Sequence, residues 1–170
     1  MSVSRQRYAY SKAKGKDSEL RFVSSAKALG FDVVKSSADV DIFFHIDYYL
    51  TYSGKGPWGV DVKRESTSDE IWCEFKNVKG EDGWMYGHAS IIAFDMPEMA
   101  GFVVVDRIDL AMWCEEHVPL EYTSSKKDAY RKRYTRSGRN DEITKINLVD
   151  ISSLESYRTW DYGPDCILYL

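Results

Sequence analysis

The stretch that decides the fold is WGVDVKR, Trp58 to Arg64, in which an aspartate and a lysine interrupt an apolar strand pattern. Side chains two positions apart on a β-strand point to the same face. Asp61 and Lys63 therefore share one face of the predicted strand, and Val60 and Val62 share the other. Charges at alternate positions of an otherwise apolar strand indicate either a solvated hairpin face or a functional site.

The residues before this stretch predict a partner strand. The segment DIFFHIDYYLTY (residues 41–52) has alternate positions that are all apolar or aromatic, and a Gly- and Pro-containing turn follows it. Counting residues across that turn places Asp61 opposite Tyr48 or Tyr49. Asp47 is then a diagonal neighbour of Asp61, within about 8 Å.

Two carboxylates this close raise each other's pKa unless a cation lies between them. A hard divalent ion such as Mg²⁺ or Mn²⁺ meets that need with oxygen ligands. The sequence therefore predicts a metal site with Asp47, Asp61 and the main-chain carbonyl of Val62 as ligands. Asp41, which shares the strand parity of Asp47, competes with it for the first position. Lys63 beside the metal is predicted to orient or deprotonate a water, or to neutralise developing negative charge during attack on a phosphodiester.

A predicted helix from Lys16 to Leu29 carries one further acid. Glu19 lies on the apolar stripe that Phe22 and Ala26 define, where a glutamate needs a partner. A metal ion, or a lysine beside one, meets that need. Alternatively, Glu19 borders the first turn of the helix, where acids are favourable.

This order of helix, strands and motif resembles the PD-(D/E)XK nuclease superfamily, and within it the archaeal-type Holliday junction resolvases. The stretches DSELRFVSSAKALGFDVVKSS, HIDYYL and WGVDVKR carry the resemblance, over about residues 15–64. A longer set of segments, including IWCEFKNVKGEDGWMYG, is similar to a group of phage-encoded proteins. By position, the resemblance assigns Glu19 to the helix acid, Asp47 and Asp61 to the metal ligands, and Lys63 to the catalytic lysine.

The resemblance implies a restriction-endonuclease-like α/β core with a central mixed β-sheet flanked by helices. It also implies Mg²⁺-dependent hydrolysis of DNA phosphodiester bonds, with branched DNA as a candidate substrate, and a homodimer. The alternative function is a non-catalytic module that binds nucleic acid or a protein, keeps the nuclease-like fold and uses the acids as surface charge.

A second arrangement of the motif stays open. The predicted strand IWCEFKNV (residues 71–78) contains Glu74 and Lys76 with the same spacing as Asp61 and Lys63. If this strand forms a hairpin with the preceding one, Asp61 is the first ligand, Glu74 the second, and Lys76 the lysine. Asp61 belongs to both arrangements.

A basic segment near the carboxyl end is the candidate nucleic-acid interface. Residues 126–139 contain seven basic residues and one acid, in a chain whose net charge is −4. We expect a mobile loop that orders on binding, with cations on phosphates and tyrosines stacked on bases. Its residues are Lys126, Lys127, Tyr130, Arg131, Lys132, Arg133, Tyr134, Arg136 and Arg139. The alternative is a solvated flexible segment.

The composition predicts one α/β domain in a chain of 170 residues with 44% apolar content. We expect a flexible amino terminus over residues 1–15, a nuclease-like core over 16–120, and a basic loop with a strand extension packing on the core over 121–170. Three widely spaced cysteines argue against a disulfide framework. The absence of a signal peptide or a long apolar run leads us to expect a cytoplasmic location without membrane contact.

Overall fold

The structure is a computed structural model that describes residues 3–64 and 69–164, with side chains described from residue 15 onward. Its α-helices are α1 (Val3–Ala28), α2 (Ala38–Phe44), α3 (Arg107–His117) and α4 (Leu148–Ile151). Its strands are β1 (Asp32–Lys35), β2 (Tyr48–Tyr52), β3 (Lys55–Arg64), β4 (Glu70–Lys76), β5 (Ile91–Met96), β6 (Gly101–Asp106), β7 (Tyr122–Thr123), β8 (Arg133–Tyr134), β9 (Glu142–Asn147) and β10 (Arg158–Asp161). Within the described ranges no helix is long and apolar enough to cross a membrane.

Two sheets organise these elements. The central sheet has the order β1-β2-β3-β5-β6-β10, with β3 and β5 parallel and the other pairs antiparallel. The second sheet has the order β4-β9-β8-β7. A mixed central sheet flanked by helices confirms the predicted α/β fold class. Because β10 joins the central sheet and β9 pairs with β4, the carboxyl-terminal part of the chain contributes strands to both sheets.

The central sheet separates two apolar cores. On one face, Phe22 and Ala26 of α1 pack with Leu50 and Val60 of the hairpin. On the other face, side chains of β5 and β6 such as Phe94 pack with α3, the second sheet and the turn around Trp84. Because strand side chains alternate, Val60 and Val62 face α1, whereas Asp61 and Lys63 face the second sheet.

The predicted strand over residues 41–52 is wrong in its first half. Residues 38–44 form α2, and β2 starts only at Tyr48. The side chain of Ser37 accepts a hydrogen bond from the Val40 N–H, and Asp39 and Asp41 lie in the first turn, where acids favour a helix. The local capping energy therefore overrides the alternating pattern.

Apart from α2, the elements between residues 31 and 119 lie close to those expected, and the other differences lie before and after this range. Helix α1 begins at Val3, whereas the sequence predicts a helix only from Lys16. The late strand expected around KINLVDIS is β9 followed by the short helix α4. A final predicted strand, DCILYL (residues 165–170), lies outside the described residues.

A buried ion pair ties α1 to the central sheet. Arg21 Nη2 lies 2.5 Å from Asp95 Oδ2, and both side chains are almost fully buried. The hydroxyl of Tyr162 donates to the other carboxylate oxygen of Asp95, and Arg64 Nη1 lies 3.7 Å from Oδ2. Helix α1, strand β5 and the segment after β10 therefore meet at one carboxylate.

Replacing Arg21 leaves Asp95 buried with its main cation removed, so Arg21→Met is expected to lower the free energy of unfolding by about 3–5 kcal/mol. The matched control is Lys35→Met, which removes the more exposed ion pair with Glu19 and is expected to cost less than about 1 kcal/mol. Urea denaturation of both variants measures the difference. Equal losses would show that the Arg21 pair does not anchor α1.

Candidate active site

The main chain of Asp47 is fixed from two sides. Its carbonyl accepts the Ser36 N–H at 2.9 Å, and its own N–H donates to the Val60 carbonyl at 2.8 Å. A Cβ on Gly59 would lie only 3.0 Å from the side chain of Ile46. A glycine at this position of β3 therefore lets Ile46, the residue before Asp47, pack closely on the strand. Asp47 is therefore held between β1 and β3 by contacts that do not use its carboxylate.

Asp61 lies closer to Asp47 than the hairpin count predicted. In the structure Tyr48 pairs with Val60 on antiparallel strands. Asp47, one residue before Tyr48, therefore lies opposite Asp61, one residue after Val60. Both carboxylates are buried, with exposures of 8% and 3%. The side chain of Asp47 takes the place of a ladder partner, because its Oδ2 accepts the Val62 N–H at 2.7 Å.

Lys63 is the cation beside these acids. Its Nζ lies 2.7 Å from Asp61 Oδ2 and 5.5 Å from the centre of the Trp84 ring. Apart from this ion pair, no hydrogen bond reaches the buried Asp61 Oδ2 among the described residues. One oxygen of the acid pair thus depends on a single lysine for its compensation.

The electrostatics follow from two acids sharing one cation. Burial, and then the charge of Asp61, raise the pKa of Asp47 to about 7, against the opposing effects of the Val62 N–H and Lys63. Burial opposes the charge on Lys63, but the charges of Asp61, Asp47 and Glu74 raise the pKa of Lys63 above its ordinary value. The cluster therefore favours additional positive charge.

Glu74 reaches this cluster by a route that the sequence did not predict. The expected hairpin pairing of Asp61 with Glu74 is wrong, because β4 leaves the central sheet and pairs with β9. Burial raises the pKa of Glu74. Two contacts oppose this rise: the hydrogen bond that Glu74 Oε2 accepts from the Trp84 N–H at 3.4 Å, and the positive charge of Lys63. The structure therefore brings the acid of the second arrangement towards the lysine of the first.

Lys76, the lysine of the second arrangement, lies elsewhere. Its Nζ forms an ion pair with Glu142 Oε1 at 2.5 Å on the exposed side of the second sheet. The bulge between Glu74 and Lys76 interrupts the strand register there. The two residues therefore do not act together as a motif on one face.

Glu19 and Asp41 also lie apart from their expected places. Glu19 pairs with Lys35 and accepts a hydrogen bond from the Tyr48 hydroxyl at 3.1 Å. These contacts are on the α1 side of the central sheet, whereas Asp61 points to the opposite face. Asp41 lies in α2, not on the strand with Asp47, and its charge contributes a further small rise to the pKa of Asp47.

The basic segment is structured rather than a mobile loop, so that expectation is wrong. It contains a 3₁₀ turn at Lys126–Asp128 and strand β8, and four of its seven cations are paired with acids. The pairs are Arg131 with Asp150, Lys132 with Glu121, Arg133 with Glu115 and Glu142, and Arg136 with Asp141. The Tyr130 hydroxyl also donates to Asp150. In the described part of the chain, Lys126, Lys127 and Arg139 have no acid within 4 Å.

The oxygen donors at the acid pair fit a hard divalent ion. N–H and C=O groups of one strand residue point to the same neighbour. Because the Val62 N–H points to Asp47, its carbonyl faces that edge too. The carboxylates of Asp47 and Asp61 and this carbonyl are the kind of oxygen donor that Mg²⁺ prefers. Over residues 3–64 and 69–164, no group of three or more His, Cys, Asp or Glu side chains is arranged to hold a metal.

Sequence reasoning missed the role of Trp84. A Cβ on Gly83 would lie 2.3 Å from the main-chain oxygen of Glu74, so only glycine allows the turn carrying Trp84 to press against β4. The buried indole of Trp84 then lies beneath Lys63, and the main-chain N–H of Trp84 donates to Glu74. Gly83, directly before Trp84, is the sequence signal for a close backbone contact at this turn. The sequence does not show that the strand it contacts is β4.

Comparisons of this chain with protein-family models, with curated proteins and with solved structures found no match. The residues and geometry of the site are therefore what indicates a function.

The raised pKa of Asp47 predicts a pH-dependent stability. The carboxyl binds its proton more tightly in the folded protein, with a pKa of about 7 instead of 3.8, so folding loses stability as the pH rises between these values. In a chelator, Asp47→Asn is expected to raise the free energy of unfolding at pH 8 by up to about 4 kcal/mol, and by less at pH 5.

Urea denaturation at the two pH values measures this effect, with the exposed Asp32→Asn as the control. A variant that is no more stable than the wild type at pH 8 would contradict the burial of an ionised Asp47.

Proposed function

We propose that the protein is a divalent-metal-dependent endonuclease that hydrolyses DNA phosphodiester bonds at Asp47, Asp61 and Lys63. The observation that carries this proposal is the burial of two adjacent carboxylates with a single lysine at the end of one hairpin. Such an arrangement costs folding free energy, so it is more readily explained by a site than by stability. The dependence of the buried Asp61 oxygen on that one lysine supports the same interpretation.

The roles follow from the positions of the atoms. Asp47, Asp61 and the Val62 carbonyl would hold Mg²⁺ or Mn²⁺, which supplies Lewis acidity and a bound water of lowered pKa. Lys63 is kept charged by its ion pair with Asp61, and its Nζ suits the neutralisation of negative charge that develops on a phosphate oxygen. Burial of the acids within the fold keeps these groups in a fixed geometry.

The spacing of the site supports the resemblance to PD-(D/E)XK nucleases, with one departure. The aspartate before β2 and the Asp-x-Lys on β3 lie together, as that motif requires. Glu19 instead faces the opposite side of the sheet, where Lys35 and Tyr48 bind it. We therefore assign the third acid near Lys63 to Glu74 and give Glu19 no part in the chemistry.

The proposal is tested by cleavage of supercoiled plasmid and of a four-way DNA junction in Mg²⁺ or Mn²⁺. Asp61→Asn and Lys63→Met are each expected to lower the rate by about 100-fold or more, because each removes a ligand or a charge from the transition state. Lys76→Met is the matched control, since Lys76 belongs to the same kind of tripeptide but is paired with Glu142. It is expected to keep the rate within about twofold.

Two outcomes would contradict this assignment. If the wild type cuts none of supercoiled, branched or single-stranded DNA in either metal, the protein is not a nuclease, and the non-catalytic binding module becomes the better explanation. If Lys76→Met loses as much activity as Lys63→Met, the site belongs to the second arrangement.

A further inference from the structure

A cavity of about 370 Å³ lies beside the acid cluster, between the second sheet and the turn that carries Trp84. This volume is in the range of pockets that hold small ligands of nucleotide size. The residues that matter for its chemistry are Trp72, Glu74, Trp84, Lys126, Tyr134 and Arg136. None of them was predicted to form a pocket, although Tyr134 was predicted to stack on a base.

The cavity borders the proposed catalytic site. Trp84 and Glu74 belong to both, because the Trp84 ring lies 5.5 Å from Lys63 Nζ and Glu74 contributes to the charge around that lysine. A group bound in the cavity would therefore be adjacent to a phosphate placed at Lys63.

Aromatic rings form a large part of the wall. The centres of the Trp72 and Tyr134 rings lie 6.0 Å apart with an angle of 51° between their planes, so the two rings contact each other at a tilt. Aromatic walls of this kind bind bases by stacking, at roughly 1–3 kcal/mol per base and with little dependence on sequence.

Charges at the cavity suit the remaining parts of a nucleotide. Lys126 Nζ lies 5.7 Å from the centre of the Trp72 ring, and in the described part of the chain no acid lies within 4 Å of it. Arg136 is paired with the buried Asp141, but its side chain is still 37% exposed. Glu74 presents a carboxylate, which accepts hydrogen bonds from the amino group of a base such as cytosine. Cations for phosphate, rings for a base and an acceptor for its edge thus line one cavity.

We propose that this cavity binds an unpaired nucleobase of the strand whose phosphate lies at Lys63, which rests on the nuclease function proposed above. A base in a perfect duplex must be extruded at a cost of a few kcal/mol before it can enter, whereas a base in a single strand or a bulge is already unstacked in part. The substrate class is therefore DNA with an unpaired nucleotide next to the scissile phosphate, and perfect duplex is the poorer substrate.

The test measures binding without cutting, by fluorescence anisotropy of the wild type in a chelator at fixed salt. The probes are a labelled single strand, a perfect duplex of the same sequence, and that duplex with one bulged nucleotide. The single strand and the bulged duplex are expected to bind at least about fivefold more tightly than the perfect duplex. Trp72→Leu and Tyr134→Leu are each expected to weaken binding of those two probes by about 5- to 100-fold and to change duplex binding by less than twofold.

Two further variants separate stacking from folding. Trp72→Phe keeps an aromatic face and is expected to restore most of the single-strand affinity. Tyr122→Leu removes an exposed tyrosine of the same sheet that does not line the cavity, and it is expected to leave all three affinities unchanged. Equal affinity for the three probes, or equal losses on all three in Trp72→Leu, would overturn the proposal.

The two proposals fail in different ways. Cleavage that needs Asp61 but does not depend on Trp72 would remove the base pocket and leave the nuclease. Single-strand binding that depends on Trp72, in a protein that cuts no DNA in Mg²⁺ or Mn²⁺, would remove the nuclease and leave the pocket as a binding site.

Discussion

The burial of two neighbouring carboxylates against one lysine is the constraint on which the account depends. Asp47 and Asp61 flank the same rung of the hairpin, and the main chain around Asp47 is fixed by hydrogen bonds from β1 and β3. The fold therefore holds the acids together whether or not their charges are compensated. The raised pKa of Asp47 expresses this cost, and a bound cation would remove it.

The departure of β4 from the central sheet gives the site its second half. Because β4 pairs with β9, it belongs to the second sheet and does not extend the hairpin next to β3. Its Glu74 then approaches Lys63, and the turn after it places Trp84 under the same lysine. One strand thus contributes both a third acid and a wall of the aromatic cavity.

The sequence predicts the part of the site that depends on local pattern. The alternation around Asp61 and Lys63 and the turn before them are enough to bring Asp47 near, although the register differs from the count. The apolar alternation predicts a strand over residues 41–44, but the cap at Ser37 and the acids of the first turn favour the helix that forms over residues 38–44. Pairing of β4 with β9 and of the basic segment with distant acids depends on contacts remote in sequence, which no local pattern contains.

The central claim is that the acid pair is a divalent-metal site, and anomalous X-ray diffraction from crystals grown or soaked in Mn²⁺ tests it most directly. The account predicts an anomalous peak bonded to the carboxylates of Asp47 and Asp61 and to the Val62 carbonyl, and its loss in Asp61→Asn crystals. Well-ordered wild-type crystals in millimolar Mn²⁺ without a peak between these two carboxylates would contradict it.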